Sequence, residues 1–198
     1  MRILPTAVAI LALGLSGNLF ATTITYTAIL NGPSEAPPNS SPGTGSGTVI
    51  YDSTANTLSI DVDFTGLTGT TTASHIHCCT AAPFTGTAGV ATQTPTFVDF
   101  PLGVTSGTYS RLFDLSDPAT YNAAFIAANG GTVSSAEPVL LAGLAANESY
   151  LNIHTTLFPA GEIRGFLTPV PEPQGLGLVG LLAGGAVQLW RKRSAARA

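Results

Sequence analysis

Lysine is almost absent from this sequence. The only one is Lys192, and Thr22 to Val170 holds just two bases, Arg111 and Arg164. The acids of that stretch are Glu35, Asp52, Asp61, Asp63, Asp99, Asp114, Asp117, Glu137, Glu148 and Glu162. Ten against two leaves −8, a sharper imbalance than the −4 of the whole chain. Such a surface repels phosphate backbones, which excludes nucleic acid as a partner, and it argues against adhesion to an acidic membrane surface. Charged residues of both signs make up only 9% of the chain, so solubility rests as much on Thr, Ser, Asn and Gly. The acids show no calcium-loop spacing. No Gly-x-Ser-x-Gly elbow occurs. Asp61 and Asp63 alternate with apolar residues and read as a solvated strand face, not a catalytic carboxylate pair. No enzymatic activity is expected.

Cysteine is nearly as scarce. Cys78 and Cys79 are the only two, and they are adjacent. In an oxidising compartment a disulfide is the default, yet no third cysteine exists to bridge either one across the fold. The choices are a vicinal bridge, a bridge between molecules, or two free thiols. The vicinal bridge is the first expectation, and its strained ring makes it more reducible than an ordinary one.

Long hydrophobic runs occur only at the ends. Met1-Arg2 followed by Ile3 to Leu15 has the form of a signal peptide, with cleavage expected after Ala21. At the other end stand Pro171-Glu172-Pro173, an apolar run from Gly175 to Trp190, and then Arg191-Lys192-Arg193 as a stop-transfer element. Sixteen helical residues span about 24 Å against a hydrocarbon core of about 30 Å, enough for a transient anchor. Trp190 suits the interface, and the basic residues suit the cytoplasmic side. This order of parts resembles the PEP-CTERM sorting signal. The resemblance implies recognition by an exosortase-type membrane protease, in bacteria that make exopolysaccharide. The expected division is therefore 1–21 signal peptide, 22–169 mature domain and 170–198 sorting signal. Signal peptidase, exosortase, the inner membrane in passing and exopolysaccharide are the expected partners. Periplasm, cell surface or extracellular matrix is the expected destination.

The middle piece reads as mainly β: an antiparallel sandwich or barrel with one or two short helices, plus the two terminal hydrophobic helices. Thr22 to Leu30, Thr48 to Tyr51, Thr57 to Phe64, Ala73 to Cys79, Gly107 to Leu115, Ser149 to Thr155 and Glu162 to Thr168 are the expected strands. In Thr57 to Phe64, residues Leu58, Ile60, Val62 and Phe64 fall on one face. Asn31 to Gly47 is an expected loop. Asp117-Pro118 looks like an N-cap with proline at the first helical position, opening a helix over Ala119 to Ala128. A second helix is expected over Ala136 to Ala145.

Histidine is limited to three residues, and all fall in two strand motifs: Ser74-His75-Ile76-His77 and Tyr150-Leu151-Asn152-Ile153-His154-Thr155. Residues i and i+2 of a strand share a face. With Ile76, Leu151 and Ile153 turned to the core, all three imidazoles lie on the other side, where strand pairing can bring them together. His75, His77 and His154 are thus candidate ligands for zinc or copper, with one coordination position left open. The first expectation for these residues is a structural polar network with no metal, and a periplasmic or extracellular copper- or zinc-binding protein is the alternative. Reduced Cys78 and Cys79 would add thiolates next door. Arg164 would oppose a cation unless paired, with Glu162 on its own strand as the expected partner. The His-x-His strand resembles that of copper/zinc superoxide dismutase, but three histidines cannot supply a two-metal site, so dismutase activity is rejected.

The blocks SHIH (74–77), YLNIHT (150–155) and PAGEIRGFL (159–167) resemble the CHRD domain, a module named from the animal protein chordin and also found in exported bacterial proteins. The resemblance covers roughly Thr23 to Leu167 and implies an extracellular, β-rich module without a secure enzymatic activity. Where bacterial relatives often carry a Gly-containing turn after His-x-His, this chain has Cys78-Cys79.

Overall fold

The computed structural model describes residues 23–171. The expected signal helix and C-terminal hydrophobic helix lie outside them. Among the described residues no helix is long and apolar enough to cross a membrane.

Eight antiparallel strands form one sheet: β1 (Thr23–Asn31), β2 (Thr44–Asp52), β3 (Thr57–Thr65), β4 (Thr71–His77), β5 (Gly107–Asp114), β6 (Tyr150–Thr155), β7 (Ile163–Phe166) and β8 (Thr168–Pro169). Their order is β4-β6-β7-β1-β2-β3-β5, with β8 beside β1. The expected mainly-β, antiparallel architecture is present, and the sandwich or barrel takes the form of one curled sheet, a half-barrel. The edge strand β4 is not bare. The irregular segment 89–104 bonds along it: Cys78 N–H to Gly89 O, Ala91 N–H to Ile76 O, Phe97 N–H to Ser74 O and Thr71 N–H to Val104 O. An exposed edge would invite pairing with other chains, and this coverage removes the invitation.

Alternation sets which face is inside. Tyr26, Ala28 and Leu30 of β1, Val49 of β2, Leu58, Ile60, Val62 and Phe64 of β3, and Tyr109 and Phe113 of β5 are buried. Ile76, Leu151, Ile153 and Ile163 bring the β4-β6-β7 side into the same core. Leu140 and Leu144 of a helix, α2 (Val133–Ala145), close it. The opposite face of β1, β2, β3 and β5 carries Thr, Ser and Asp, and Asp61 and Asp63 stand there as expected.

The expected helix over 119–128 is broken in two. Asp117 does cap a helical turn with Pro118 at its start, but that turn ends at Thr120. Tyr121 then bridges to Thr92 in extended form, and Asn122 caps a separate helix, α1 (Ala123–Ala128). The Tyr121 hydroxyl donates to Leu115 O, 2.9 Å away, which holds this residue inside the core and out of a helix. β2 begins at Thr44, four residues before the expected start, because Gly45 and Gly47 have no side chain to reveal the alternation. Gly45 instead pairs with Phe64, and Gly47 lies where a Cβ would meet Leu151 Cδ2 at 2.5 Å. The final strand is split at Leu167, which turns fully into the core between β7 and β8.

Candidate metal centre

Register brings the three histidines together. In the β4–β6 pair, His75 faces Asn152, His77 faces Tyr150 and Ala73 faces His154. A register shift between Thr71 and Ala73 precedes the site. In the β6–β7 pair, Asn152 faces Arg164 and Tyr150 faces Phe166. Ile76, Leu151 and Ile153 are fully buried on the core side. The imidazoles occupy the other face, as the i, i+2 rule requires.

That face is roofed by loops. His75 and His77 are buried and His154 is half-buried. Each ring gives one nitrogen to a loop carbonyl: His75 Nε2 to Pro95 O at 2.7 Å, His77 Nδ1 to Ala88 O at 2.9 Å, and His154 Nδ1 to Pro159 O at 3.0 Å. A carbonyl only accepts, so in neutral rings these nitrogens carry the protons. The other three, His75 Nδ1, His77 Nε2 and His154 Nε2, are left as lone-pair acceptors. All three are buried with no hydrogen-bond partner. They are half of the six such side-chain atoms among the described residues.

One ring nitrogen from each histidine lies within 4.8 Å of the others. Some point is then no more than roughly 2.8 Å (4.8/√3) from all three, against a zinc–imidazole bond of roughly 2.0–2.1 Å. A contraction of under an ångström closes the set on one ion. The ring centroids are 5.3 Å apart for His75–His154, 5.7 Å for His77–His154 and 5.9 Å for His75–His77. Burial pushes His75 and His77 down to about 4, against the opposing carbonyl bonds, and lowers His154 as well. The rings are therefore neutral at pH 7, the form that binds a metal.

Tyr150 stacks on His77 and bonds the same loop, its hydroxyl lying 3.2 Å from Ala88 N and 3.3 Å from Ala88 O. The Arg164 guanidinium lies 4.6 Å over the Tyr150 ring. The expected Arg164–Glu162 pair does not form. Arg164 reaches Glu35 instead, with Nε to Oε2 at 3.8 Å, and donates to Ser34 O and Gly86 O. Burial pushes the Glu35 carboxyl up to about 7, against the pull of Arg164. Glu162 is elsewhere and fully buried. It accepts from Ser41 Oγ and Thr155 Oγ1 at 2.6 Å each, and from Thr68 N–H and Gly69 N–H. Burial alone would raise its carboxyl, but these four bonds outweigh it and hold it below the usual range.

Cys78 and Cys79 are joined by a disulfide. Their sulfurs lie 3.9 and 3.6 Å from Val139 O of α2, and Cys78 belongs to the hydrophobic core. The cluster of metal-ligating groups holds the three histidines and neither sulfur, so the pair does not extend the ligand set. Pro171, the last described residue, is exposed. Glu172, Pro173, Arg191, Lys192 and Arg193 lie outside the described residues, as does the segment 1–21. Sequence reading missed the three carbonyls that pin the imidazoles, and it missed Glu35. Loops have no periodicity to show which carbonyl will face a ring, and Glu35 lies far from Arg164 in the chain.

No curated protein and no solved structure matches the chain. The family model described as the CHRD domain matches residues 26–167. That span runs from β1 to the end of β7 and includes all three histidines, so the chain belongs to the CHRD domain family.

Proposed function

We propose that this CHRD domain is an exported, non-catalytic module that holds one zinc or copper ion on His75, His77 and His154. One observation carries the reading: the three histidines offer ligand atoms within 4.8 Å of one another, and each keeps one buried ring nitrogen with no hydrogen-bond partner among the described residues. A polar network without metal would pair these atoms, because a buried acceptor without a donor costs about 1–3 kcal/mol. A cation held by the three rings would satisfy such atoms together. The backbone carbonyls behind the rings fix tautomer and orientation, the usual support for metal-ligating histidines. Imidazole suits both zinc and copper, and a three-histidine set leaves a position for water or a small ligand.

The test is elemental analysis of protein purified without a histidine tag, followed by titration with Zn(II) and Cu(II). One equivalent per chain is expected. Less than a tenth of an equivalent, with no uptake on titration, would end this reading.

Export is supported by the family, by the signal-peptide form of residues 1–21 and by the order Pro171-Glu172-Pro173, apolar run, basic stop. On this reading signal peptidase removes the N-terminal segment. An exosortase-type protease then processes residues 170–198 at the inner membrane and delivers the domain to a polysaccharide-bearing envelope or matrix. Glu172→Ala should leave an uncut, membrane-associated precursor in antibody-probed fractions. Normal trimming of that variant would count against it.

A further inference from the structure

The Cys78–Cys79 disulfide begins one residue after His77 and lines a separate cavity of about 420 Å³ with Gly89, Val90, Phe125 and Val139. Of the two cysteines Cys79 is half-buried and Cys78 is buried. The pair also packs against α2. A Cβ placed on Gly143 would run into both sulfurs and would stand 3.0 Å from Ser149 Oγ. That hydroxyl is fully buried and has no partner.

The segment Ala88–Val90 touches both the cavity and the histidines. Gly89 and Val90 line the cavity, Cys78 N–H bonds Gly89 O, and Val90 bridges to His77. Ala88 O receives the His77 ring. Whatever moves the sulfurs therefore moves the strand end and the loop that aim His77.

We propose that Cys78–Cys79 is a thiol–disulfide exchange site that regulates the metal affinity of His75, His77 and His154. This rests on the metal reading above. The reductant is a dithiol, protein or small molecule, entering through the cavity. Its thiolate attacks Cys79 Sγ. The bond between the two cysteine sulfurs breaks, and Cys78 leaves as a thiolate and takes a proton. The second thiol of the reductant then attacks the mixed disulfide and frees Cys79, which is protonated in turn. Two electrons and two protons pass to the pair, and the dithiol leaves as its own disulfide.

Two bonded sulfurs sit about 2.05 Å apart, whereas two unbonded heavy atoms need at least roughly 3.5 Å. The displacement of Cys78 is carried to His77 through the Cys78 N–H bond to Gly89 O and the bridge from Val90 to His77. Ser149 Oγ, buried beside Gly143 with no hydrogen-bond partner among the described residues, would accept from a freed thiol. The oxidised pair holds His77 in the binding geometry, and the reduced pair releases it.

The experiment uses the domain with the pair oxidised, then reduced by dithiothreitol and freed of reductant under argon, each titrated with Co(II). The oxidised form is expected to bind one equivalent and the reduced form at least tenfold more weakly. By reciprocity, saturating Co(II) must then shift the thiol–disulfide equilibrium tenfold toward the disulfide, about 30 mV in potential. Ser149→Ala should favour the disulfide without changing Co(II) affinity in the oxidised form. Equal affinity in both redox states overturns the switch and leaves the metal reading standing. Absence of binding in either state overturns both. Loss of the native far-UV circular dichroism on reduction also overturns the switch, because the pair is then a structural staple.

Discussion

The rings of His77 and Tyr150 lie face to face, with centroids 4.7 Å apart and planes 7° from parallel. Both also bond Ala88, His77 through Nδ1 and Tyr150 through its hydroxyl. Tyr150 is thus a positioning residue: it fixes the plane of a ligand ring without reaching the ion. Tyr150→Phe keeps the stack and loses the hydroxyl bond, so Zn(II) affinity should fall by up to about tenfold. Tyr150→Leu loses both and should cost about 10- to 100-fold, the range for support behind a ligating histidine. Competition against a chromogenic chelator measures both. Equal affinity in Tyr150→Leu and wild type would show that the loop alone holds His77.

Glu162 is a second place where one residue organises several loops. Its carboxylate satisfies two hydroxyls and two backbone N–H groups from segments far apart in the chain. Glu162→Ala strands all four donors in the interior. A loss of about 3–5 kcal/mol is expected in urea unfolding, the range for removing one member of a buried charged network. Glu162→Gln keeps the shape but presents an NH₂ where a donor already points, and should lose about 2 kcal/mol. A change under about 1 kcal/mol in the alanine variant would mean that water replaces the carboxylate.

Much of this was legible in the sequence, for identifiable reasons. β1 and β3 bury every second residue over much of their length, so Tyr26, Leu30, Leu58 and Ile60 announce both the strands and their inner face. The same rule puts His75, His77 and His154 on one side of the sheet, and the structure gathers them there. What failed was what a period of two cannot encode. Gly45 and Gly47 hide the first half of β2, and Tyr121 leaves the helix because its hydroxyl has a carbonyl to reach in the core. Arg164 and Glu162 share a strand end, yet the arginine pairs with Glu35 and the glutamate with four loop donors. Those choices depend on how distant loops fold back over the sheet.

Gly143 offers a test in which local preference and packing disagree. It lies inside α2, where exchanging glycine for alanine ordinarily stabilises by about 1 kcal/mol. Here the new methyl meets both sulfurs of the Cys78–Cys79 pair. Overpacking of that kind costs about 1–3 kcal/mol, so Gly143→Ala should lower stability on balance. Thermal melting of the oxidised protein decides the sign. A higher melting temperature than wild type would mean that α2 moves aside freely.

Acid should unfold the metal-free domain through its histidines, and the direction follows from their burial. It holds His75 and His77 at about 4 in the folded chain, against an unfolded value of 6.5, and lowers His154 too. A depressed folded value means that the unfolded chain binds the proton first. The stability held by neutral rings is therefore complete above pH 6.5 and drains away as pH falls from 6.5 through about 4. A tenfold difference in proton affinity between the folded and unfolded chain is worth about 1.4 kcal/mol, so His75 and His77 together put several kcal/mol at stake. Glu35 works in the opposite sense: its value is raised to about 7, so its contribution is full below 4.5 and is lost as pH rises through 7. It offsets one histidine but not three. Urea unfolding between about pH 4 and 8 should show stability falling toward acid, and His77→Gln should flatten that slope. Zn(II) at neutral pH should raise the melting temperature in wild type and not in His77→Gln. At about pH 4.5 the gain should shrink, since protons compete for the same three nitrogens. An unchanged slope in His77→Gln would place the acid sensitivity elsewhere in the domain.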